Sequence, residues 1–280
     1  MTLVFIDVLR EAVQVTIPVF VMMVVVDLIN VWTRGRISTI LRKSHRLRQY
    51  VIAPLLGVAL GCLGAFTNVS LYMHGMITFG ALVGSMAAVS GDEAFVMLAM
   101  FPKSAVLLFA LLFLAGIGTG LLADWVVRKW KISTCQDCEI PLVHPGEGGI
   151  AHYIKEHVWR HIVRRHLWRT FLWTFGTLLL VKLGMAEWPL EKLASEYTLV
   201  LLFLGALVGL IPESGPHLIF VTLYASNLTP FSVLFASSFV QDGHGMLPML
   251  SYSVRDSILI KAFNLVLGLV FSLALYAFGF

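Results

Sequence analysis

The chain has 280 residues, 58% hydrophobic and 13% charged, with a mean hydropathy of +0.86. Soluble domains carry roughly 45–50% apolar and about 25% charged residues, so the composition excludes an ordinary soluble protein. The apolar runs are continuous rather than alternating, which excludes a β-barrel and leaves an all-α integral membrane protein.

The net charge of +4 gathers in two loops, a topology signal that gives no reason to expect a nucleic-acid partner. Residues 1–11 lack a basic start and contain Asp7 and Glu11, so no cleavable signal peptide is expected. The first span is predicted over Val13–Trp32. Residues 33–50 follow, with Arg34, Arg36, Arg42, Lys43, Arg46 and Arg48 among Ile37, Ile40 and Leu41, the pattern of an interfacial amphipathic helix. Val51–Phe66 is apolar and stops at Thr67-Asn68. Met76–Val89 is apolar and stops at Ser90-Gly91-Asp92-Glu93. Ala94–Phe101 is too short to cross, since about 20 helical residues are needed. After a turn at Pro102-Lys103, Ser104–Val127 spans again.

Residues 128–169 form the long polar stretch, with eight Lys/Arg against four acids. A span over Leu167–Met185 leads to an acidic, aromatic segment with Glu187, Glu191 and Glu196. Then come Thr198–Ile211, a break at Pro212-Glu213-Ser214-Gly215-Pro216, His217–Ala225, a turn at residues 226–230 and Phe231–Val240. A break at Gln241-Asp242-Gly243-His244-Gly245 precedes Met246–Tyr252 and a last span, Asp256–Phe280.

Setting Gly91 on Gly243 without gaps also pairs Met97 with Met249, Lys103 with Arg255, Gly116 with Gly268 and Leu121 with Leu273. Duplicated apolar segments with polar interruptions are the pattern of secondary transporters with a site near the bilayer midplane. A second pair of breaks is read at Phe66-Thr67-Asn68 and Pro212–Pro216. The basic loops 34–48 and 128–165 are expected in the cytoplasm and the acidic segment outside. The chain then crosses an even number of times between Tyr50 and Arg128, and the two copies are inverted. Two full helices and one re-entrant hairpin per copy satisfy this, with the first hairpin tip at 91–93, giving six crossings. Full crossing by the broken stretches, for eight, is the alternative. The expected division is 1–127 as the first repeat, 128–165 as a cytoplasmic loop and 166–280 as the second repeat.

Irregular backbone at membrane depth is tolerated only where buried or lining a cavity, and acids there are costly. Here acids concentrate at the breaks: Asp92, Glu93, Glu213 and Asp242, accompanied by His217 and His244. Asn68, Ser90, Ser214 and Gln241 are neutral ligand candidates, and Gly91, Gly215, Gly243 and Gly245 permit tight turns. Carboxylates and imidazoles suit a divalent ion such as Mn²⁺, Zn²⁺, Fe²⁺ or Co²⁺, and can carry protons. Lys103 and Arg255 are surface anchors or charge partners for these acids. Two other readings stay open. Asp92 and Glu93 suit helix N-caps. Half-helix N-termini at Ala94, His217 and Met246 suit an anion, although the adjacent carboxylates oppose one.

In the polar loop, Cys135-x-x-Cys138 with His144 has the spacing of half a zinc site, and His157 and His161 share a helix face. One CxxC without a second pair is equally two cytosolic thiols with no role.

Ser90–Phe95, Ile211–His217 and Gln241–Gly245 resemble a ten-segment heavy-metal exporter family of bacteria and archaea, also labelled manganese transporters or arsenic efflux proteins. The resemblance covers about residues 50–280 and implies an inverted-repeat transporter in a prokaryotic cytoplasmic membrane. No Walker-type glycine loop is present, so ATP is not this chain's direct energy source. The function expected is secondary-active export of a divalent cation by proton exchange, with no prosthetic group. Its partners are the lipid bilayer, the cation and protons, and a homodimer is compatible with so small a bundle. The alternative is a transporter of a small organic or oxyanion solute coupled to H⁺ or Na⁺. An intramembrane enzyme ranks below both, since His-Glu-x-x-His is absent.

Overall fold

A computed structural model describes residues 5–10, 12–14, 16, 17, 20, 21, 24, 46–91, 93–134, 158, 159, 163, 167, 168, 171, 172, 175, 176, 179, 197–213 and 215–280. Regular structure among them is entirely helical. The elements are α1 (Arg46–Leu60), α2 (Cys62–Met73), α3 (Phe79–Ala88), α4 (Glu93–Met100) and α5 (Pro102–Lys129). After the polar loop come α6 (Thr198–Val208), α7 (Leu218–Ala225), α8 (Phe231–Val240), α9 (Met246–Tyr252) and α10 (Val254–Ala277). At the Gly91-on-Gly243 setting Arg46 falls on Thr198, Phe79 on Phe231, Ala88 on Val240, Met100 on Tyr252 and Pro102 on Val254. Most boundaries of the two series therefore coincide, but Leu60 falls on Pro212, four residues past the end of α6, and Cys62 on Ser214, four before the start of α7.

Local chemistry sets several of these ends. Thr78 Oγ1 accepts from Ala81 N at the start of α3, and Ser253 Oγ from Asp256 N at the start of α10. Pro102 opens α5, where its missing N–H costs nothing. Only α5 and α10, among the described residues, are long and apolar enough to cross a membrane unaided.

The packing fixes chain directions. Thr78 N donates to Gln49 Oε1 (3.0 Å), and Gly57 backs onto Ser85 O, so α1 runs parallel to α3. Asn68 Nδ2 donates to Ala53 O (2.9 Å), which brings α2 back alongside α1. The chain therefore folds back at Gly61, whose φ is +54°. Thr67 and Asn68, expected at a break, lie within α2. Thr67 Oγ1 donates to Leu63 O within the helix, while the Asn68 amide reaches across to Ala53 O and Ser85 Oγ.

The fold-back expected at 91–93 does not occur. Gly80 lies against Gly120 and Asp124, and Gly84 against Gly116, so α3 is antiparallel to α5. From Gly116, α5 extends about 14 residues, roughly 21 Å, back to its start at Pro102. The chain from Ala88, beside Gly116, to Pro102 must cover that length in the direction of α3, and α4 lies within it. Gly91 thus interrupts one run through the protein rather than capping a hairpin.

The second series repeats this. Gly205 and Gly209 back onto Ser237 and Val240, while His217 meets Ser237 and Tyr224 meets Phe231. So α6 runs with α8, and α7 returns against it. Phe239 packs on Phe271, and Ser232 N donates to Phe280 O, which sets α8 antiparallel to α10.

The two series interlock. Met97, Ala105, Leu108 and Leu112 lie in the apolar core of the second, and Met246, Met249 and Ile260 in that of the first. Phe101 packs on Tyr224, beside the start of α8, while Gln241 Nε2 donates to Val89 O (3.4 Å) at its end. α3 and α8 therefore point at each other and meet at their C-termini. Near the N-terminus, Val8 and Ala12 pack with Phe171, Phe175 and Leu179.

Candidate functional site

The helix interruptions converge on one buried centre. Gly61 faces Gly91, a Cβ on Gly61 lying 3.3 Å from Gly91 O. Gly245 is pressed against Ala65, where a Cβ would come within 2.5 Å of the Ala65 Cβ. Gly91 and Gly243 both take the left-handed conformation, at φ +58° and +50°, which favours glycine. Gln241 crosses the join: Nε2 donates to Val89 O, and Oε1 accepts from Gly243 N (3.2 Å).

Of the residues singled out from the sequence, Asn68, Ser90, Gly91, Glu93, Glu213, His217, Gln241, Asp242, Gly243, His244 and Gly245 are all buried. Glu93 opens α4. Glu213 lies in the turn after α6, its N–H donating to Ile211 O (2.9 Å). Gly215 opens the short 3₁₀ turn that His217 closes. His217 Nδ1 is hydrogen-bonded to Ser237 Oγ (3.1 Å), and Asn68 Nδ2 to Ser85 Oγ (2.6 Å) as well as Ala53 O. Ser85 and Ser237 fall on each other at the setting above, so each anchors the fold-back helix of its own series. Asp92, Ser214, Cys135, Cys138 and His144 lie outside the described residues, as do His157 and His161.

The centre's defining contact is one that reading the breaks alone missed. Lys261, from the middle of α10, donates through Nζ to Asp242 Oδ1 (2.8 Å) and to Gly209 O (2.9 Å). Asp242 Oδ2 has no hydrogen-bond partner among the described residues, and neither do Ser90 Oγ and His217 Nε2. Arg255 and Lys103, expected as surface anchors or charge partners of the acids, are both exposed, and Arg255 donates to Ser133 Oγ at the surface. The signal for Lys261 was available: a lysine inside an otherwise apolar span is costly and marks function by default.

Among the described residues no three His, Cys, Asp or Glu side chains lie close enough to hold a metal ion. A cavity of about 350 Å³ adjoins the pair, lined by Leu210, Pro212, Met246 and Leu250 with Ser257 and Lys261. Its walls are largely apolar, and Lys261 is the one charged group lining it among the described residues. Among the described residues the centre thus holds an ion pair and several buried polar atoms without hydrogen-bond partners rather than a formed cation cage.

Two further buried acids serve structure. Asp124 accepts from Gly80 N (2.7 Å) at the start of α3 and from the Tyr50 hydroxyl. Asp256 accepts from Tyr72 Oη (2.7 Å).

Comparison with curated proteins and with solved structures gives no match. The family model described as "Putative, 10TM heavy-metal exporter" matches residues 2–177 and 177–279, nearly the whole chain. The chain belongs to this family of multi-pass membrane proteins.

Proposed function

We propose that the protein is a secondary-active exporter of a divalent metal cation of the Mn/Zn/Fe/Co class, driven by proton exchange. We further propose that it is built as two inverted repeats, over 1–127 and 166–280, around the cytoplasmic loop 128–165. The observation that carries this reading is the convergence of the helix breaks from both series on the buried Asp242–Lys261 pair. Discontinuous helices that bring unpaired backbone and ionisable groups to one buried point are the hallmark of a transport site.

The chain directions support the inversion. α3 and α8 approach head-on, and the basic ends at Arg46–Arg48 and Arg128–Lys131 lie together on the side read as cytoplasmic. On this reading α1–α2 and α6–α7 are the re-entrant hairpins, entering from opposite faces. α3–α4, α5, α8–α9 and α10 cross, and with the two leading spans the crossings number six. Counting each hairpin as two segments gives ten, as in the family description. Asp92, Glu93, Glu213, His217, Asp242 and His244 would supply ligands and carry protons, with Asn68, Ser90, Ser214 and Gln241 as neutral ligands. The Cys135–Cys138–His144 set stays a candidate metal site of the loop.

A second reading, export of a small organic or oxyanion solute coupled to H⁺ or Na⁺, is favoured by one feature: the apolar cavity ending on the Lys261 ammonium. Metal flux in proteoliposomes, with a panel of divalent ions and an imposed pH gradient, separates the two. The exporter reading expects gradient-dependent divalent flux that is lost in Asp242→Asn and Glu213→Gln. Absence of any divalent flux by the wild type would remove it.

A further inference from the structure

We propose that Lys261 is a tethered counter-cation: in the cargo-free transporter its ammonium occupies the place that the exported cation takes on Asp242, and cargo binds by displacing it. The proposal rests on the exporter reading above and names the residue that competes with cargo.

Asp242 has no exposed surface, and a charged carboxylate in that position would be strongly disfavoured without a partner. Lys261 supplies one, but incompletely. It takes Oδ1 alone and leaves Oδ2 unpartnered among the described residues. A purely structural ion pair buried this deeply normally has its remaining acceptor satisfied. The second oxygen that the ammonium touches is Gly209 O, a carbonyl left free where α6 ends. A carboxylate and a freed carbonyl are also the hard oxygen donors that a small divalent cation takes. The ammonium therefore sits on a partial cation cradle.

The approach path supports exchange. The 350 Å³ cavity reaches Lys261, whose side chain is 13% exposed, but not Asp242, which lies behind it at 0%. A cation arriving by that route meets the ammonium first. The same cavity gives the displaced side chain somewhere to go: its apolar walls suit the four-carbon stem, and Ser257, one turn earlier on the same face of α10, offers a hydroxyl to the ammonium. Phe109 holds the corresponding position on α5, so the first series has no lysine there.

The test measures Mn²⁺ binding calorimetrically in the detergent-purified full chain. Removing the competitor in Lys261→Gln is expected to tighten Mn²⁺ binding by about tenfold, the low end of what a close charge pair carries, while slowing Mn²⁺ flux. Lys261→Arg, which keeps the charge, should hold wild-type affinity, and it keeps the comparison open should Lys261→Gln fold poorly. In that event Lys261→Cys, compared before and after aminoethylation of the thiol, gives the same readout, the added amine weakening Mn²⁺ binding again. Unchanged affinity in the charge-free variants, with binding abolished in Asp242→Asn, would overturn the competition and leave the exporter reading standing. No Mn²⁺ binding in any variant, together with wild-type proteoliposomes inert to every divalent ion, would overturn both.

Discussion

Tyr72 donates its hydroxyl to Asp256 at 2.7 Å, tying α2 of the first series to the start of α10 in the second. At the Gly91-on-Gly243 setting this bond falls on another, Tyr224 Oη to Ser104 Oγ at 3.0 Å, which ties α7 to α5. The two bonds are the same cross-link made twice, with a carboxylate at one end of the molecule and a hydroxyl at the other.

That difference makes their losses unequal. Tyr72→Phe takes one donor from a buried carboxylate and is expected to cost about 1–3 kcal/mol. Tyr224→Phe removes a bond between two neutral, partly buried hydroxyls and should cost about 0.5–1.5 kcal/mol. Thermal unfolding of the detergent-solubilised variants measures both. Equal losses, or a larger loss at Tyr224, would contradict the assignment of Asp256 as the demanding partner.

The seam between α3 and α5 gives a sharper contrast within one helix pair. A Cβ on Gly80 would lie 2.2 Å from Gly120 O and 2.6 Å from the Asp124 carboxyl carbon, both held in place by the helices they belong to. Gly80→Ala must push α3 away from α5 and disturb the Asp124 bond to Gly80 N. A loss of about 1–3 kcal/mol or more is expected, as for other overpacked cores. Gly118 lies on the same helix, two residues from Gly120, with nothing within 4 Å of its would-be Cβ. Gly118→Ala should be neutral or stabilise by up to about 1 kcal/mol, since alanine suits a helix better than glycine. A shared drop in melting temperature would show that helix content, not close approach, sets the effect.

How far these features were legible from the sequence depends on the range of the interaction behind each. The boundaries of Phe231–Val240 and Met246–Tyr252 are written in the apolar runs and their breaks, and the structure has them at those residues. Gly91 and Gly243 were readable because glycine in a polar interruption signals a special backbone conformation. Gly61 was not, because it sits inside an apolar run, and only its packing against Gly91 distinguishes it from any other helical glycine. Asn68 looked like a break for the converse reason: a polar residue in an apolar stretch, whose partner Ala53 O is reachable only once the chain has folded back. The Lys261–Asp242 pair joins two segments whose proximity no local pattern encodes. The lysine alone was legible, the contact was not.

The two left-handed glycines give a prediction about both stability and transport. Gly91→Ala and Gly243→Ala each place a Cβ at positive φ, which costs about 1–2 kcal/mol. Because Gly243 N is also held by Gln241 Oε1, strain there acts directly on the residues flanking Asp242. On the proposed exporter function, Gly243→Ala should therefore lose Mn²⁺ flux beyond what its melting temperature explains, while Gly243→Asn, which tolerates that backbone better, should recover part of it. Flux that follows melting temperature alone across the three variants would argue against the turn's role in shaping the site.

The proposed placing of the hairpins at α1–α2 and α6–α7 allows the most direct test of the fold. In a background with Cys62, Cys135 and Cys138 changed to Ser, single cysteines are introduced at His74, Lys103 and Leu228 and labelled with a membrane-impermeant maleimide from either face. His74 follows α2, and Gln49 and Thr78 nearby are hydrogen-bonded to each other, so it belongs on the face of Arg128. Lys103 lies at the far end of α5, next to Ser104 and its partner Tyr224, and Leu228 follows α7 in the adjoining turn. Lys103→Cys and Leu228→Cys are therefore expected to react from one face and His74→Cys from the opposite face. A fold-back at Gly91 would instead put His74 and Lys103 on the same face, because the chain would enter and leave on one side between them. The sign of that single comparison decides whether α3 and α4 together cross the bilayer.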